Sequence, residues 1–156
     1  IEKVPEDGYI ICNPRDKNLK PILEKSKANI VNYTEMPTPS LKTPGKHNIQ
    51  NSQVAYAIGQ ILKIPKDQIS SSLQNFSGTW RRFEHKGKSK NGADVFDDYA
   101  HHPKEVQTTL EALKEEFGDK KRVVVFQPHL FSRTKIFLKE FSKSFVNVDR
   151  AIIAPI

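Results

Sequence analysis

The densest group of side chains capable of chemistry lies at residues 97–103, which read Asp-Asp-Tyr-Ala-His-His-Pro. The run falls between a predicted strand and a predicted helix, and open α/β sheets bind ligands at the carboxyl ends of their strands. Two carboxylates, a phenol and two imidazoles at that place favour a polar substrate site. Adjacent histidines rarely point at one ion, so a metal site is the weaker alternative. A helix-capping or buried structural role explains one of the two histidines equally well.

A second polar run follows the next predicted strand. Residues 126–134 read Phe-Gln-Pro-His-Leu-Phe-Ser-Arg-Thr, and we expect them beside the first run because parallel strands end at one rim of a sheet. Arg133, near a helix start, suits an anionic group such as a carboxylate. Ser132 is predicted to cap that helix and not to act as a nucleophile, since no Gly-x-Ser-x-Gly elbow surrounds it.

A third run, residues 45–51, joins a proline-rich loop to a helix and reads Gly-Lys-His-Asn-Ile-Gln-Asn. A helix start offers free backbone N–H groups and the positive end of the helix dipole. Asn48 and Asn51 are three residues apart and project from one face, where carboxamides suit the edge of a nucleobase. Spacing alone favours Asn48 as a simple helix cap and leaves the role of Asn51 open.

A fourth run, residues 80–84, contains the adjacent pair Arg81 and Arg82. On an extended segment the two side chains point to opposite faces, so one can meet phosphate while the other pairs with a carboxylate. By itself, a surface salt bridge is the simpler explanation. Gly-Lys-Ser at 87–89 resembles the end of a P-loop, but Arg82 stands where the first glycine is required, which excludes that motif.

The elements that position these runs are predicted as α/β. In the first half we expect a β-α-β unit (strands 9–12 and 30–33, helix 18–27) and helices at 48–63 and 66–75. The apolar face of helix 48–63 is predicted as Val54, Ala55, Ile58, Ile61 and Leu62. A hairpin turning at 91–92 precedes helix 103–117, strand 122–126, a helix from Ser132 to about residue 146, and strand 151–154. From residue 95 the order β-α-β-α-β predicts a three-stranded parallel sheet with both later strands buried.

Composition narrows the function classes. With 37% hydrophobic and 28% charged residues among 156, the chain is neither disordered nor membrane-spanning. The net charge of +7 comes from scattered lysines without an aromatic stripe, so nucleic acid is not an expected partner. Cys12 is predicted to be a small buried hydrophobe, and a lone cysteine fits a reducing compartment. The start is not a signal peptide and has no initiator Met, so we expect the protein to begin upstream.

In order, the four runs resemble the Mur ligases, most specifically the branch that joins L-alanine to UDP-N-acetylmuramate. The sequence Asp-Asp-Tyr-Ala-His-His-Pro followed by Phe-Gln-Pro-His carries most of the resemblance, which covers essentially the whole chain and is weakest in the first third. It implies that residues 1–78 are the end of a P-loop-type central ATP-binding domain. Residues 79–156 are then the first part of a Rossmann-like C-terminal domain that binds the amino acid.

The resemblance also implies an activity. An ATP-dependent ligase of the cytoplasm would make a peptidoglycan precursor through an acyl phosphate, using ATP, Mg²⁺, UDP-N-acetylmuramate and L-alanine. Most of its Mg²⁺ ligands would lie outside this chain, which would be inactive alone. The implied ATP-binding residues are His47, Asn48, Asn51, Arg82 and Asp98. The implied amino-acid-binding residues are Tyr99, His101 and Arg133, with Arg82 and His101 also catalytic, Asp97 in support and no metal ligand in this chain.

One departure and two alternatives remain at this point. The family commonly has Arg directly after Phe-Gln-Pro-His, where this chain has Leu130, which puts the identity of the amino acid in doubt. A recycling ligase that attaches a whole peptide to UDP-N-acetylmuramate matches residues 81–84 and 97–103 but differs at 126–134. A non-catalytic nucleotide-binding module is the alternative outside the enzymes.

Overall fold

The computed structural model describes residues 3–156. The chain divides into two compact units. The first unit takes in residues up to 42 together with 46–76, and the second takes in residues 43–45 together with 77–156. The fold is mixed α/β, as predicted. Among the described residues, no helix is both long enough and apolar enough to span a membrane.

The first unit begins with a parallel β-α-β arrangement and continues into two helices. Strands β1 and β2 pair in parallel, with Tyr9 opposite Asn29 and Cys12 opposite Asn32. The elements are β1 (Tyr9–Cys12), α1 (Lys20–Leu23), β2 (Asn29–Asn32), a 3₁₀ turn (Tyr33–Glu35), α2 (Lys46–Ile61) and α3 (Lys66–Asn75). The predicted bounds of β1 and α3 are confirmed.

Helix α1 is a single turn, much shorter than the predicted 18–27. Turns occupy the segment before it, because the carboxamide of Asn13 accepts from Arg15 N–H and the carboxylate of Asp16 accepts from Asn18 N–H. Asparagine and aspartate compete with helical hydrogen bonds in this way. After α1, the hydroxyl of Ser26 accepts from Ala28 N–H and ends the helical path.

Helix α2 packs through its small residues, and the predicted apolar face is partly wrong. Its buried residues are Ser52, Tyr56, Ala57 and Gly59. By contrast, Ile58 is 44% and Leu62 65% exposed. A Cβ on Gly59 would lie 2.7 Å from Cδ1 of Ile69 on α3. Close backbone approach, which only glycine permits, therefore decides which face of α2 is inside.

The second unit combines a hairpin with a parallel strand pair. Its elements are β3 (Glu84–Lys88), β4 (Asp94–Asp97), α4 (Pro103–Phe117), β5 (Val123–Phe126), α5 (Phe131–Ile136), α6 (Leu138–Ser144) and β6 (Arg150–Ile153). Strands β3 and β4 are antiparallel, with a bulge between His85 and Gly87, and β5 and β6 are parallel. The predicted bounds of α4 are confirmed, including Gly118 as its capping residue.

The order β-α-β-α-β is present, but the predicted three-stranded parallel sheet is wrong. Within residues 3–156, β4 pairs with β3 alone, and β5 and β6 form a separate two-stranded sheet. The hairpin uses the hydrogen-bonding groups of this four-residue strand, and the bond from Tyr99 N–H to Arg81 O continues the contact beyond the strand end. The hairpin thus satisfies one edge of β4, and no strand of residues 3–156 pairs with its other edge.

The core of the second unit lies on one face of the β5–β6 sheet. Val106 and Leu110 of α4, Phe126 of β5 and Phe141 of α6 form its buried cluster. Burying each such side chain contributes about 1.5–3 kcal/mol as an upper estimate. The opposite face is open: Val125 is 68% exposed and every residue of β6 is exposed. The prediction that both strands are buried is therefore wrong, because the helices cover one face of β5 and leave every residue of β6 exposed.

The segment after β5 corrects two further predictions. Helix α5 begins at Phe131, and its N-cap is Leu130, with no side-chain hydrogen bond, so Ser132 is not the cap. The predicted single helix is broken at Phe137, whose φ of −104° and ψ of 22° separate α5 from α6. The Phe137 ring packs on the imidazole of His102 with centroids 4.8 Å apart.

Candidate functional site

The loop after β4 is fastened to the turn before β3 by Asp98. One carboxylate oxygen of Asp98 accepts from Phe83 N–H at 2.8 Å, and the other accepts from Ala100 N–H at 2.7 Å. Phe83 is buried and has a φ of 49°, a left-handed conformation that needs such support. Asp98 thus has a structural role, and each oxygen keeps a second lone pair for another donor.

The turn before β3 is not the extended segment predicted for the two arginines. Arg81 has a φ of 53°, and its backbone N–H donates to Glu84 Oε2 at 2.9 Å. This backbone hydrogen bond is the main reason that the pKa of Glu84 is lowered. The Arg81 guanidinium donates to Asp97 Oδ2 at 3.0 Å, which confirms the expected pairing of one arginine with a carboxylate. Arg82 is exposed.

His101 has a defined orientation at the carboxyl end of β4. Its Nδ1 lies 2.9 Å from the carbonyl oxygen of Tyr99 and 3.6 Å from Glu105 Oε2. Its ring meets the Tyr99 ring edge-on, with centroids 5.3 Å apart. His101 is half-buried, whereas Tyr99 is 42% exposed, so this cluster is open to a ligand.

Glu105 organises the start of α4. Its Oε2 accepts from the backbone N–H groups of both His101 and His102, while the His102 imidazole accepts from Lys104 N–H. This is a reciprocal capping box, and the capping role foreseen for one of the two histidines is confirmed for His102. Burial raises the pKa of Glu105, but those backbone donors and the charges of His101 and Arg82 outweigh it and leave the pKa lowered. The charge of Arg82 is therefore felt at this loop.

His129 is the site residue that sequence reasoning missed. Its ring centroid lies 6.3 Å from that of His101 and 6.4 Å from that of Tyr99. The expected proximity of the two polar runs is thereby confirmed, although β4 and β5 belong to separate sheets and share no rim. The sequence signal for it was the histidine of Phe-Gln-Pro-His, three residues after the end of β5. The sequence prediction assigned ligand binding in this run to Arg133 and not to this histidine.

Arg133 is not joined to this cluster by any contact. It lies in α5, is half-buried, and its side chain makes no hydrogen bond or ion pair with another residue of 3–156. The structure therefore brings together the rings of Tyr99, His101 and His129, while Arg133 makes no hydrogen bond, ion pair or ring contact with them.

The remaining predicted site residues belong to the first unit. His47 and Asn48 lie in the first turn of α2 and are half-buried, and Asn51 is exposed in the next turn. Because α2 begins at Lys46, Asn48 is inside the helix, and its explanation as a simple cap is wrong. Cys12 is buried, as predicted, and burial raises the pKa of its thiol, which keeps it uncharged and unreactive.

No group of three or more His, Cys, Asp or Glu side chains within residues 3–156 is arranged to hold a metal ion. Asp97 pairs with Arg81, and Asp98 and Glu105 each accept from two backbone N–H groups.

Sequence comparison gives a consistent family. The model of the Mur ligase glutamate ligase domain matches residues 81–155. A UDP-N-acetylmuramate–L-alanine ligase of Clostridium kluyveri is 35% identical over 98% of this chain and 39% of its own length. Its counterpart in Clostridium botulinum is 35% identical over the whole of this chain and 40% of its own length. The chain thus spans about two fifths of the length of these relatives.

Solved structures agree. A UDP-N-acetylmuramate-alanine ligase of Thermotoga maritima matches 74% of this chain and 25% of its own, with a TM-score of 0.65 and 32% identity. A murein peptide ligase of Psychrobacter arcticus matches 98% of this chain and 38% of its own, with a TM-score of 0.72; at 21% identity it bears on the fold alone. Residues 81–155 match the glutamate ligase domain of the Mur ligases, and the similarity to ligases of this family extends over nearly the whole chain. The chain belongs to the Mur ligase family.

Proposed function

We propose that this chain is part of an ATP-dependent ligase that joins L-alanine to UDP-N-acetylmuramate in the cytoplasm, as a step of peptidoglycan precursor synthesis. The observation that carries the proposal is the meeting of Tyr99, His101 and His129 past the ends of β4 and β5. The names of relatives at 35% identity over nearly the whole chain support this substrate pair.

The reaction proceeds in two displacements. The carboxylate of the sugar attacks the γ-phosphorus of ATP, so that an O–P bond forms, ADP leaves, and an acyl phosphate results. The amine of alanine then attacks the acyl carbon, the amide bond forms, and inorganic phosphate leaves. Arg82, exposed and always protonated, opposes the charge of the transferred phosphoryl group. Arg133, whose side chain has no partner among residues 3–156, receives the alanine carboxylate.

Alanine reaches the site as an ammonium ion and must lose a proton before it attacks. His101 is suited to this task, because its Nδ1 faces the Tyr99 carbonyl and its Nε2 then carries the lone pair when the ring is neutral. Nε2 accepts the proton as the N–C bond forms. The rings of Tyr99 and His129 both lie beside that imidazole and also face each other, with centroids 6.4 Å apart.

In the first unit, His47, Asn48 and Asn51, in the first two turns of α2, are the residues proposed to bind adenine. Asp98 adds a hydrogen bond to the ribose through a lone pair that its backbone partners leave available. Mg²⁺, when bound, would neutralise phosphate charge, and most of its ligands are expected to come from outside this chain. The chain on its own is therefore not expected to turn over.

The test uses the complete gene product. Phosphate release from ATP is followed with UDP-N-acetylmuramate and, in turn, L-alanine, glycine, L-serine and the L-Ala-γ-D-Glu-diamino acid tripeptide. Release that depends on L-alanine supports the proposal and shows that Leu130 is compatible with it. Release with the tripeptide alone assigns the recycling reaction instead, and binding of nucleotide without release under any condition assigns a non-catalytic module.

A further inference from the structure

Arg81 is held in an unusual conformation by the loop that carries the site. Its φ of 53° is left-handed, which is uncommon for a residue with a Cβ. Two backbone hydrogen bonds maintain it: Arg81 N–H donates to Glu84 Oε2 at 2.9 Å, and Arg81 O accepts from Tyr99 N–H at 2.8 Å. A strained residue so closely fixed points to a function for its side chain.

The side chain of Arg81 is clamped between three groups. Its Nε donates to Asp97 Oδ2 at 3.0 Å, with both side chains 37% exposed. Its Cζ lies 5.0 Å from the centroid of the Tyr99 ring and 5.6 Å from that of Trp80. The salt bridge fixes the plane of the guanidinium, and an aromatic face attracts a cation within this distance.

Tyr99 has few other means of holding its position. Its ring is 42% exposed, and its other ring partners, His101 at 5.3 Å and His129 at 6.4 Å, are part of the same open cluster. The Arg81 cation is the charged contact of the phenol ring, and Asp97 fixes that cation to the end of β4.

We propose that Arg81 is a positioning residue for the amino-acid end of the site: it holds the Tyr99 ring in place and thereby sets the affinity for the incoming amino acid. This rests on the proposed function. In this proposal Arg81 acts through Tyr99, whereas its exposed neighbour Arg82 serves the phosphate end. The two adjacent arginines therefore divide their work between the two ends of the site.

The experiment compares variants of the complete gene product. Arg81→Met removes the charge and the planar group, whereas Arg81→Lys keeps the charge alone. The control is Lys88→Met, which removes a cation beside Asp94 on the same hairpin. We expect Arg81→Met to raise the KM for the amino acid about fivefold, the factor that corresponds to one cation–π contact. The KM for ATP should stay unchanged, Arg81→Lys should be intermediate, and in a Tyr99→Leu background Arg81→Met should add nothing.

A general loss of structure gives a different pattern, with a lower Tm and equal changes in both KM values, and that pattern overturns the inference. So does an undiminished effect of Arg81→Met in the Tyr99→Leu background. If the wild type shows no activity with any amino-acid acceptor, the proposed function fails, and the clamp is tested by fluorine NMR instead. The protein is labelled with meta-fluorotyrosine, and the Tyr99→Phe variant assigns the Tyr99 signal. Arg81→Met must then move or broaden the Tyr99 signal while Lys88→Met leaves it in place; an unmoved signal refutes the clamp.

Discussion

The Nδ1 atom of His101 lies 2.9 Å from the backbone carbonyl oxygen of Tyr99. A carbonyl oxygen only accepts, so Nδ1 carries the hydrogen, and the neutral ring has its lone pair on Nε2. The carboxylate of Glu105, 3.6 Å from the same Nδ1, favours this arrangement further. One backbone contact therefore selects the tautomer that a proton acceptor at this site requires.

Two substitutions of His101 distinguish the roles of its two ring nitrogens. His101→Asn puts an amide N–H near the position of Nδ1 and keeps the bond to Tyr99, but it removes the base. His101→Gln puts an amide near the position of Nε2 and has no basicity either. Both should lower kcat by about a hundredfold or more, as loss of a general base does. The measurement is phosphate release by the complete gene product at saturating substrates.

The matched control is His85→Asn, because His85 pairs with Asp94 on the hairpin and lies outside the proposed machinery. It should leave kcat unchanged within error. If His101→Asn also keeps the wild-type kcat, His101 is not the proton acceptor, and only its contact with Tyr99 matters.

The sequence was most informative where one local pattern decides the structure. The bounds of α3 and α4 follow from apolar spacing and from proline and glycine at their ends, and the model has the same bounds. It was least informative where contacts between distant residues decide. The left-handed turn at Arg81 depends on Glu84 and Tyr99, and the buried face of α2 depends on the approach of Gly59 to α3.

The candidate site shows the same division. Residue types and spacing identified the loop that carries Tyr99 and His101, since strand ends of α/β sheets bind ligands. They did not reveal that Asp98 accepts from two backbone N–H groups, or that the ring of His129 joins the cluster. Both depend on side-chain directions across two loops, which a one-dimensional pattern does not contain.

Glu105 should make the start of α4 sensitive to acid. Glu105→Ala removes an acceptor shared by two backbone N–H groups and should cost about 0.5–2 kcal/mol of stability, as cap losses do. Glu105→Gln keeps an acceptor but loses the charge, so at neutral pH its Tm should lie between those of the wild type and Glu105→Ala. The order of the three Tm values is measured by thermal unfolding of the chain, followed by circular dichroism.

The sign of the pH effect follows from the lowered pKa of Glu105. The folded state prefers the carboxylate, so this stability is present above the ordinary glutamate pKa and is lost as pH falls through the lowered folded value. Below the lowered folded pKa of Glu105, wild type and Glu105→Gln should therefore converge in Tm. A gap that stays constant on acidification would show that the carboxylate charge does not contribute.

Gly59→Ala should destabilise the first unit although alanine favours helices. The new Cβ would lie 2.7 Å from Cδ1 and 2.8 Å from Cγ1 of Ile69. Overpacking of about 1–3 kcal/mol exceeds the gain in helix propensity of about 1 kcal/mol. Ile69→Val removes Cδ1, so the double variant should lose less stability than the sum of the two single changes. Urea unfolding of the wild type, the two single variants and the double variant gives the four free energies of this double-mutant cycle.

Gly92→Ala is the control for this cycle. Gly92 has a φ of 79° and no atom within 4 Å of an added Cβ, so its cost is backbone strain without crowding. Ile69→Val should not relieve it. Additive values for Gly59→Ala and Ile69→Val would show that α2 and α3 separate enough to accept the methyl group.

The two faces of β5 should respond in opposite ways to the same substitution. Val124 packs against the core cluster, whereas Val125 is 68% exposed on the open face of the sheet. Val124→Thr puts a hydroxyl into an apolar contact and should cost about 1–3 kcal/mol. Val125→Thr keeps the β-branched shape in water and should change stability by less than about 0.5 kcal/mol while reducing aggregation.

The chain by itself should be only marginally stable. No large side chain among residues 3–156 is less than 2% exposed, and apolar side chains such as Phe131 and Ile136 are more than 70% exposed. Such surface favours broad unfolding, dye binding and association. We therefore expect a broad melt for the 156-residue chain, with less dye binding after Val125→Thr. A sharp, cooperative melt in both proteins, with no dye binding in either, would mean that the open face of β5 and β6 is covered in solution.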